Sequence, residues 1–426
     1  MRYRPPAPLR VNPLDTSDRA AVRALMDLKA YVFQFPRVSE DDIDATIARY
    51  TEPGNRVSVV QEQQRPVASF YSFDTSLSVP GGAAVPADAI SGVVVLPTHK
   101  RRGLLSGWIR ADIEAAHERG AVACALYASE AGIYGRFGFG ISTGVATATL
   151  DVRRGTFQPA GTGSVHIVTG AEALEVLPQV ARQAQLANAG SIEPLAAVWR
   201  AATQQTPGLP QEDRQRWFAV HHDEAGNPDG VLGYTLADHW ESGRGGSTVT
   251  LHTLYAASSL AERQLWAHAA SIDFTTTVVC SMATADIGLP WWVSDPRAVT
   301  FGPIWDGEWT RILDVPAALS ARRYPNAAAV TVQVLDDLGP AQGRYRLEVD
   351  PSGVGVCTRC ESSVDEPDLT LGVAALSSLW LAGGAGVPSL TTLVDTGRVH
   401  LRDPHALPAL AALFSWPTPA RALTHF

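Results

Sequence analysis

The densest chemistry in the chain lies in one run, Val93-Val94-Val95-Leu96-Pro97-Thr98-His99-Lys100-Arg101-Arg102-Gly103-Leu104-Leu105. It reads as a strand that breaks at a proline, crosses a short basic turn and opens a helix at a glycine. A helix start leaves backbone N–H groups unpaired, and here they stand beside fixed positive charge, which suits a pyrophosphate. Gly103 lets the backbone approach closely. Val93 and Val95 offer backbone groups that can pair with an extended ligand arm as an added strand would. A second run follows, Ser129-Glu130-Ala131-Gly132-Ile133-Tyr134-Gly135-Arg136-Phe137-Gly138-Phe139. A tyrosine hydroxyl can protonate a departing anion. In a glycine-rich turn it can equally be a packing residue or a turn hydrogen bond.

These runs need elements to position them. Periodicity predicts a helix over 19–35, with Val22, Leu25, Met26 and Val32 apolar, then strands over 57–60, 67–73 and 93–96. Residues 103–119 read as an amphipathic helix with Leu104, Leu105, Trp108, Ile109, Ile113 and Ala116 on one face and Gly120 as its stop. A buried strand over 121–128, a short helix around 132–137 and a closing strand over 145–152 complete a mixed α/β unit. Residues 153–163 read as a linker. A second unit begins at Val165, with helices over 172–189 and 259–272 and strands over 230–236, 249–255 and 274–280. Its order resembles the first, but Ala256-Ala257-Ser258-Ser259 stands where the basic turn should be, so a duplicated fold without a cofactor site is expected. A third region, entered near 305–313, has helices expected over 315–324, 373–382 and 404–413 and strands over 329–335, 343–349 and 353–358. The expected boundaries are 1–152, 153–300 and 301–426, since 426 residues exceed one ordinary core. The end, with two prolines and a terminal Phe426, reads as an extended tail placed somewhere.

Strand, basic turn and tyrosine segment together resemble the acetyl-coenzyme A half of a GNAT-type N-acetyltransferase. The usual GNAT turn is Arg/Gln-x-x-Gly-x-Gly/Ala; Lys100 and Leu105 depart from it, and Gly103 fits. More specifically, the run from Pro97 to Leu105, the run from Ala128 to Gly140, and Trp309-Thr310-Arg311-Ile312-Leu313-Asp314-Val315-Pro316-Ala317-Ala318-Leu319 are similar to the enhanced intracellular survival (Eis) family. The resemblance covers the whole chain, including the terminal Phe426. It implies an α/β (α+β) architecture: tandem GNAT folds followed by a sterol-carrier-like domain. It also implies a homohexamer, and acetyl-CoA-dependent acetylation of amines, including aminoglycosides and lysine side chains. Carried over by position, Tyr134 is the general acid and the α-carboxylate of Phe426 the base. Val93, Val94, Val95, Arg101, Arg102, Gly103, Leu104, Leu105, Ser106, Ser129 and Glu130 contact the cofactor.

An α-carboxylate has a reference pKa of about 3.3–3.7 and an alkylammonium lies near 10, so the terminal base needs burial or a water relay. Its charge can also hold the ammonium before deprotonation. Members of the family often carry an acidic residue before the terminal Phe, where this chain has His425. Gly92 and Gln34 are further departures, and together they predict a less acidic, roomier pocket that binds polycationic aminoglycosides weakly. Two rivals remain: a non-enzymatic acyl-CoA or lipid carrier using the third region, and a protein-lysine acetyltransferase.

Other signals narrow the field. A formal net charge of −9 disfavours nucleic acid as a partner. No run of about 18 apolar residues predicts a membrane span. The basic start, residues 1–6, has no apolar core behind it, so a cytoplasmic protein is expected. Cys357 and Cys360 have zinc-like spacing but no matching pair, and read as ordinary strand cysteines. Cys124 reads as core. The histidines show no metal spacing, so no metal is expected. His221 and His222 beside Asp223 and Glu224 read as a solvated turn.

Overall fold

The computed structural model describes residues 10–36, 38–159, 161–206, 216–241, 244–360 and 366–426. The basic start at 1–6 lies outside them. The first stretch comprises β1 (Arg10–Pro13), α1 (Arg19–Phe33), α2 (Glu40–Tyr50), β2 (Asn55–Glu62), β3 (Arg65–Val79), β4 (Ala83–Val95), α3 (Leu104–Glu118), β5 (Ala123–Tyr127) and β6 (Gly140–Ile141). The second comprises β7 (Gly144–Asp151), β8 (Ser164–Val168), α4 (Gly170–Ala187), α5 (Ala196–Ala202), β9 (Trp217–His222), β10 (Pro228–Ala237), the hairpin β11 (Trp240–Glu241) and β12 (Arg244–Gly245), β13 (Ser247–Ala256), α6 (Ser259–Ser271), β14 (Thr275–Ala283), α7 (Leu289–Trp292), β15 (Val299–Phe301) and β16 (Trp305–Asp306). The third comprises β17 (Glu308–Ile312), α8 (Val315–Ala321), β18 (Ala328–Leu335), β19 (Gly343–Val349), β20 (Gly355–Arg359), β21 (Leu369–Gly372), α9 (Val373–Trp380), α10 (Leu390–Asp395), β22 (Val399–Leu401) and α11 (Leu407–Leu413).

Three large sheets result, ordered β1-β2-β3-β4-β5-β17-β6, β15-β7-β14-β13-β10-β9-β8 and β20-β19-β18-β21-β22. The first two exchange strands. β7 leaves the first unit to pair with β14 and β15, and β17 returns to lie between β5 and β6. The boundaries expected after 152 and 300 therefore do not follow the sheets. The run 305–313, read as the entry to the third region, supplies β17 to the first sheet. Local periodicity marks a strand but not its partner, so this exchange is invisible in the sequence.

Several local expectations are also corrected. The helix expected around 132–137 is one 3-10 turn, Gly135–Phe137. β4 is far longer than the strand expected over 93–96, because Pro86 and Gly92 interrupt its alternation. α2 was not anticipated, although its Ser39/Asp42 capping box is written in the sequence. His221 is buried in β9, bonded to Asp229 and at 2.9 Å to Gln264, and not a solvated turn. The third unit packs Trp380 between its sheet and α8, its indole N–H donating to the Ala318 carbonyl at 2.8 Å. Among the described residues no helix is long and apolar enough to cross a membrane.

β17 carries two charged residues into the interior. Arg311 Nη2 donates to both Asp336 carboxylate oxygens, at 3.0 and 2.8 Å, and Nη1 donates to the Phe137 carbonyl at 2.8 Å. Glu308 is fully buried, and neither carboxylate oxygen has a hydrogen-bond partner. Burial pushes its carboxyl well above the usual 4.5. The folded group stays protonated while the unfolded chain ionises above that value, so its contribution to stability is lost as pH rises past it. Glu308→Leu is therefore expected to stabilise the fold by about 1–3 kcal/mol at neutral pH. In denaturant titrations the advantage should shrink as pH falls towards the carboxyl range; a margin independent of pH would contradict this.

Candidate active site

β4 and β5 pair in parallel from Ala87/Ala123 to Ile90/Leu126, and the pairing stops there. The cause is a bulge. Between Ser69/Val94 and Tyr71/Ser91 the β3–β4 ladder accommodates one extra residue in β4, at Gly92 and Val93, and Gly92 takes a left-handed φ of +54°. The kink turns β4 away from β5 and opens a wedge along Ser91–Val95. Val93 and Val95 are half-buried beside it. The Val94 side chain is buried in the core, which leaves its backbone to meet a ligand.

Beyond the wedge the chain makes the basic turn. His99 braces it, with Nδ1 at 2.9 Å from the Thr98 hydroxyl and Nε2 at 3.2 Å from Glu62 on β2. Arg101 and Gly103 both take left-handed φ values, 62° and 76°, forming a backbone concavity of the kind that cradles anions. α3 starts at Leu104 with no side-chain cap and no acidic residue in its first turn. Leu104 is buried, Leu105 and Ser106 are half-buried, and Arg101 and Arg102 are exposed. Lys100 lies 3.9 Å from Glu130, so the turn and the loop after β5 come together.

Tyr134 is 6% exposed and edge-on to Phe139, with ring centroids 6.1 Å apart. Burial, helped by Glu130, pushes its phenol up to about 12. Gly138 has φ +85°, and a Cβ there would lie 1.8 Å from Arg311 Nη1. The tyrosine–glycine spacing is therefore a packing requirement: only glycine admits the arginine that holds the turn.

The tail is ordered by the central unit. Arg421 forms a bidentate pair with Glu262 in the first turn of α6, at 2.8 and 2.9 Å, and its N–H donates to the Ala189 carbonyl at 2.8 Å. Ser191 donates to the Arg421 carbonyl at 2.7 Å. The Thr424 hydroxyl lies 2.5 Å from the Tyr255 hydroxyl at the end of β13, and Tyr127 donates to the Thr424 carbonyl at 3.1 Å. The Phe426 ring ends edge-on to Phe73 and Tyr127, 5.7 and 5.2 Å away. His425 lies 4.3 Å from the Tyr127 ring, and burial lowers its pKa below 6.5.

One cavity of about 730 Å³ unites these parts: Val93, Ser129, Tyr134 and Phe426 all line it. The turn from Lys100 to Ser106 is not in its wall and sits at the other end of the wedge. The cavity also draws in residues that the sequence reading missed: Lys29 and Arg49 from α1 and α2, Met282 from β14 and Trp305 from β16. Their signal is tertiary, since nothing in the helical pattern of α1 marks Lys29 as facing a cavity. Trp199 packs against the core under α4 and does not line the cavity.

A parallel strand pair splayed at a bulge, a basic turn opening a helix and a buried tyrosine across the wedge define a GNAT acetyltransferase fold with a second, altered copy. The Acetyltransferase (GNAT) domain matches residues 14–142 and again 190–312, and the Sterol carrier protein domain matches 315–422. An uncharacterized N-acetyltransferase of Streptomyces griseus is 39% identical over 351 residues, 80% of this chain and 82% of that one. N-acetyltransferase Eis of Mycobacterium tuberculosis is 29% identical over 90% of this chain and 92% of its own. The crystal structure of Eis1 from Mycobacterium abscessus superposes with a TM-score of 0.81 at 30% identity, covering 98% of this chain and 100% of that one. The chain belongs to the Eis family of GNAT N-acetyltransferases.

The tail geometry predicts a separable defect. Arg421→Met leaves the buried Glu262 carboxylate uncompensated and should weaken tail docking by about 3 kcal/mol. Turnover is expected to fall about tenfold or more with coenzyme A affinity nearly unchanged, and adding Glu262→Gln should restore part of it. Equal loss of cofactor affinity and turnover would show that the pair serves general stability instead.

Proposed function

We propose that the protein transfers the acetyl group of acetyl-CoA directly to an acceptor amine, with Tyr134 as general acid and the Phe426 α-carboxylate as general base. The observation that carries this reading is the shared cavity lined by Val93, Ser129, Tyr134 and Phe426. The coenzyme phosphates rest on Arg101, Arg102 and Gly103 and on the first backbone N–H groups of α3, from Leu104, Leu105 and Ser106. The pantetheine arm fills the wedge as a strand beside Val93, Val94 and Val95, with Ser129 and Glu130 opposite. A backbone N–H on this edge stabilises the charge developing on the thioester oxygen.

Proton accounting sets the roles. The acceptor arrives as an ammonium and loses one proton before attack on the carbonyl carbon. The C–S bond breaks as the amide forms, and the nitrogen sheds a second proton. One proton ends on coenzyme A sulfur and the other in solvent. A phenol near 12 remains protonated throughout the working range and donates to the departing thiolate. The terminal carboxylate is a weak proton acceptor, so its work is to hold the ammonium and pass its proton to water. His425 is neutral at pH 7 and adds no positive charge to repel it.

The acceptor is an amine on a small molecule, aminoglycoside-like or polyamine, or a lysine side chain. A homohexamer in the cytoplasm belongs to the same reading, and a fully active monomer in light scattering would remove the assembly. An acyl-CoA carrier would bind the thioester without releasing thiol.

Thiol release from acetyl-CoA over a panel of amines tests the reading. Extending the chain by two glycines after Phe426 should abolish turnover with coenzyme A binding intact; equal turnover would exclude the terminal base. Tyr134→Phe should lower kcat about 10²-fold with little change in KM for acetyl-CoA. In wild type, kcat/KM should climb as the acceptor amine deprotonates, with no alkaline fall before about pH 11, because the raised phenol does not ionise sooner. An alkaline limb near pH 8–9 that vanishes in Tyr134→Phe would contradict this.

A further inference from the structure

The acceptor cavity that Phe426 lines also carries two cations. Lys29 on α1 is 8% exposed, and its ammonium donates to the Tyr50 hydroxyl at 2.5 Å. Its Nζ stands where a side chain on Gly92 would be: a Cβ there would lie 2.5 Å from it. Gly92 therefore serves the bulge and makes room for an ammonium against the strand that carries Val93. Arg49 on α2 stacks its guanidinium over the same Tyr50 ring, 5.1 Å from the centroid, and its buried Nε has no hydrogen-bond partner. Both residues line the cavity.

Neither cation forms an ion pair among the described residues. The side-chain carboxylates in the cavity wall are committed elsewhere. Asp42 accepts from the Ser39 N–H and hydroxyl at 2.8 and 2.7 Å, and Asp306 accepts from the Trp309 indole at 2.6 Å. Phe426, which lines the same cavity, brings one carboxylate against these two cations. Two like charges sharing one phenol in a half-enclosed apolar wall are unfavourable until an anion joins them. Tyr50 reports the field: burial pushes its phenol up, yet the two cations outweigh that and leave it below 10.

We propose that Lys29 and Arg49 form an anion subsite in the acceptor cavity, and that the preferred acceptors are amines that also carry a carboxylate. The ammonium lies towards the Phe426 carboxylate and the acceptor's own carboxylate towards Lys29 and Arg49. An apolar or aromatic linker fits between, against Phe33, Phe35 and Met26. A polycation such as a polyamine or aminoglycoside would bring a second positive charge to the cationic end, which opposes binding. The inference rests on the amine acetylation proposed above.

The test is competition between matched acceptors: aminohexanoate, hexylamine and diaminohexane, together with 4-(aminomethyl)benzoate and benzylamine, read by thiol release. Wild type should favour each carboxylated amine over its partner by about tenfold or more in kcat/KM, with the diamine poorest. Lys29→Gln and Arg49→Gln should each cut that ratio several-fold, and the double variant should bring it near unity. The ratio is taken on one preparation, so partial misfolding cancels. Preference for uncharged or dicationic amines overturns the subsite but leaves the acetyltransferase reading standing. A large loss of turnover in the variants at constant ratio also overturns it, because the cations would then serve the terminal carboxylate or the fold. Absence of thiol release with every amine overturns both.

Discussion

Arg311 is the contact on which both halves of the site depend. It sits on a strand that reaches the first sheet only after the chain has built the central unit. There it holds the Phe137 carbonyl, and so the Tyr134 turn, while its other nitrogen is fixed by Asp336 in the third unit. A fully buried guanidinium needs its charge compensated, and the Asp336 carboxylate on Nη2 with the Phe137 carbonyl on Nη1 does this in one geometry, while Nε is left without a partner. The Tyr134 turn is therefore not fixed until three distant stretches have assembled. The same strand lies beside β5, so Glu308 stands opposite Tyr127, the residue that receives the tail.

The tail shows what became of the second GNAT copy. In the first copy the end of β4 and the start of α3 are left open: no side chain caps the helix, and the strands part at a bulge. In the second, the corresponding places are filled. Ser258 caps α6, Glu262 occupies its first turn, and Tyr255 ends the strand. Arg421 and Thr424 bind Glu262 and Tyr255. The chain's own end thus lies across the region where a cofactor would rest in the first copy. The second copy has an acid at its helix start where the first has a basic turn, so it holds an arginine, and that anchor carries Phe426 across the boundary into the first unit.

The elements of the proposed cofactor half were legible because they are contiguous. The strand, turn and helix from Val93 to Ser106 and the Tyr134 run obey local rules, and α3 buries Leu104, Trp108, Ile109, Ile113 and Ala116 as its periodicity requires. Leu105, placed on the same face, is only half-buried at the helix edge. The strand exchange was not legible, since β7 and β17 look the same whichever sheet they join. Nor was the acceptor half, which takes Lys29, Arg49, Gly92, Met282, Trp305 and Phe426 from six elements or segments. Gly92 was noticed as a position where a side chain would narrow the pocket, but the ammonium that uses the space was not. α2 was a different failure, because its capping box was there to be read.

This division has a consequence for specificity. The cofactor half is built from backbone groups and a short motif, so it tolerates little change. The charge of the acceptor half comes from side chains on α1 and α2 and from the tail, none of which contributes to the basic turn. Charge there can change sign without disturbing acetyl-CoA. His425 brings a ring whose pKa burial lowers, and Lys29 with Arg49 brings positive charge to the same cavity. In the proposed subsite these cations oppose polycations, and they come from segments far from the tail in sequence. A shared fold and cofactor motif therefore fix the reaction and leave the acceptor to be set by a few side chains.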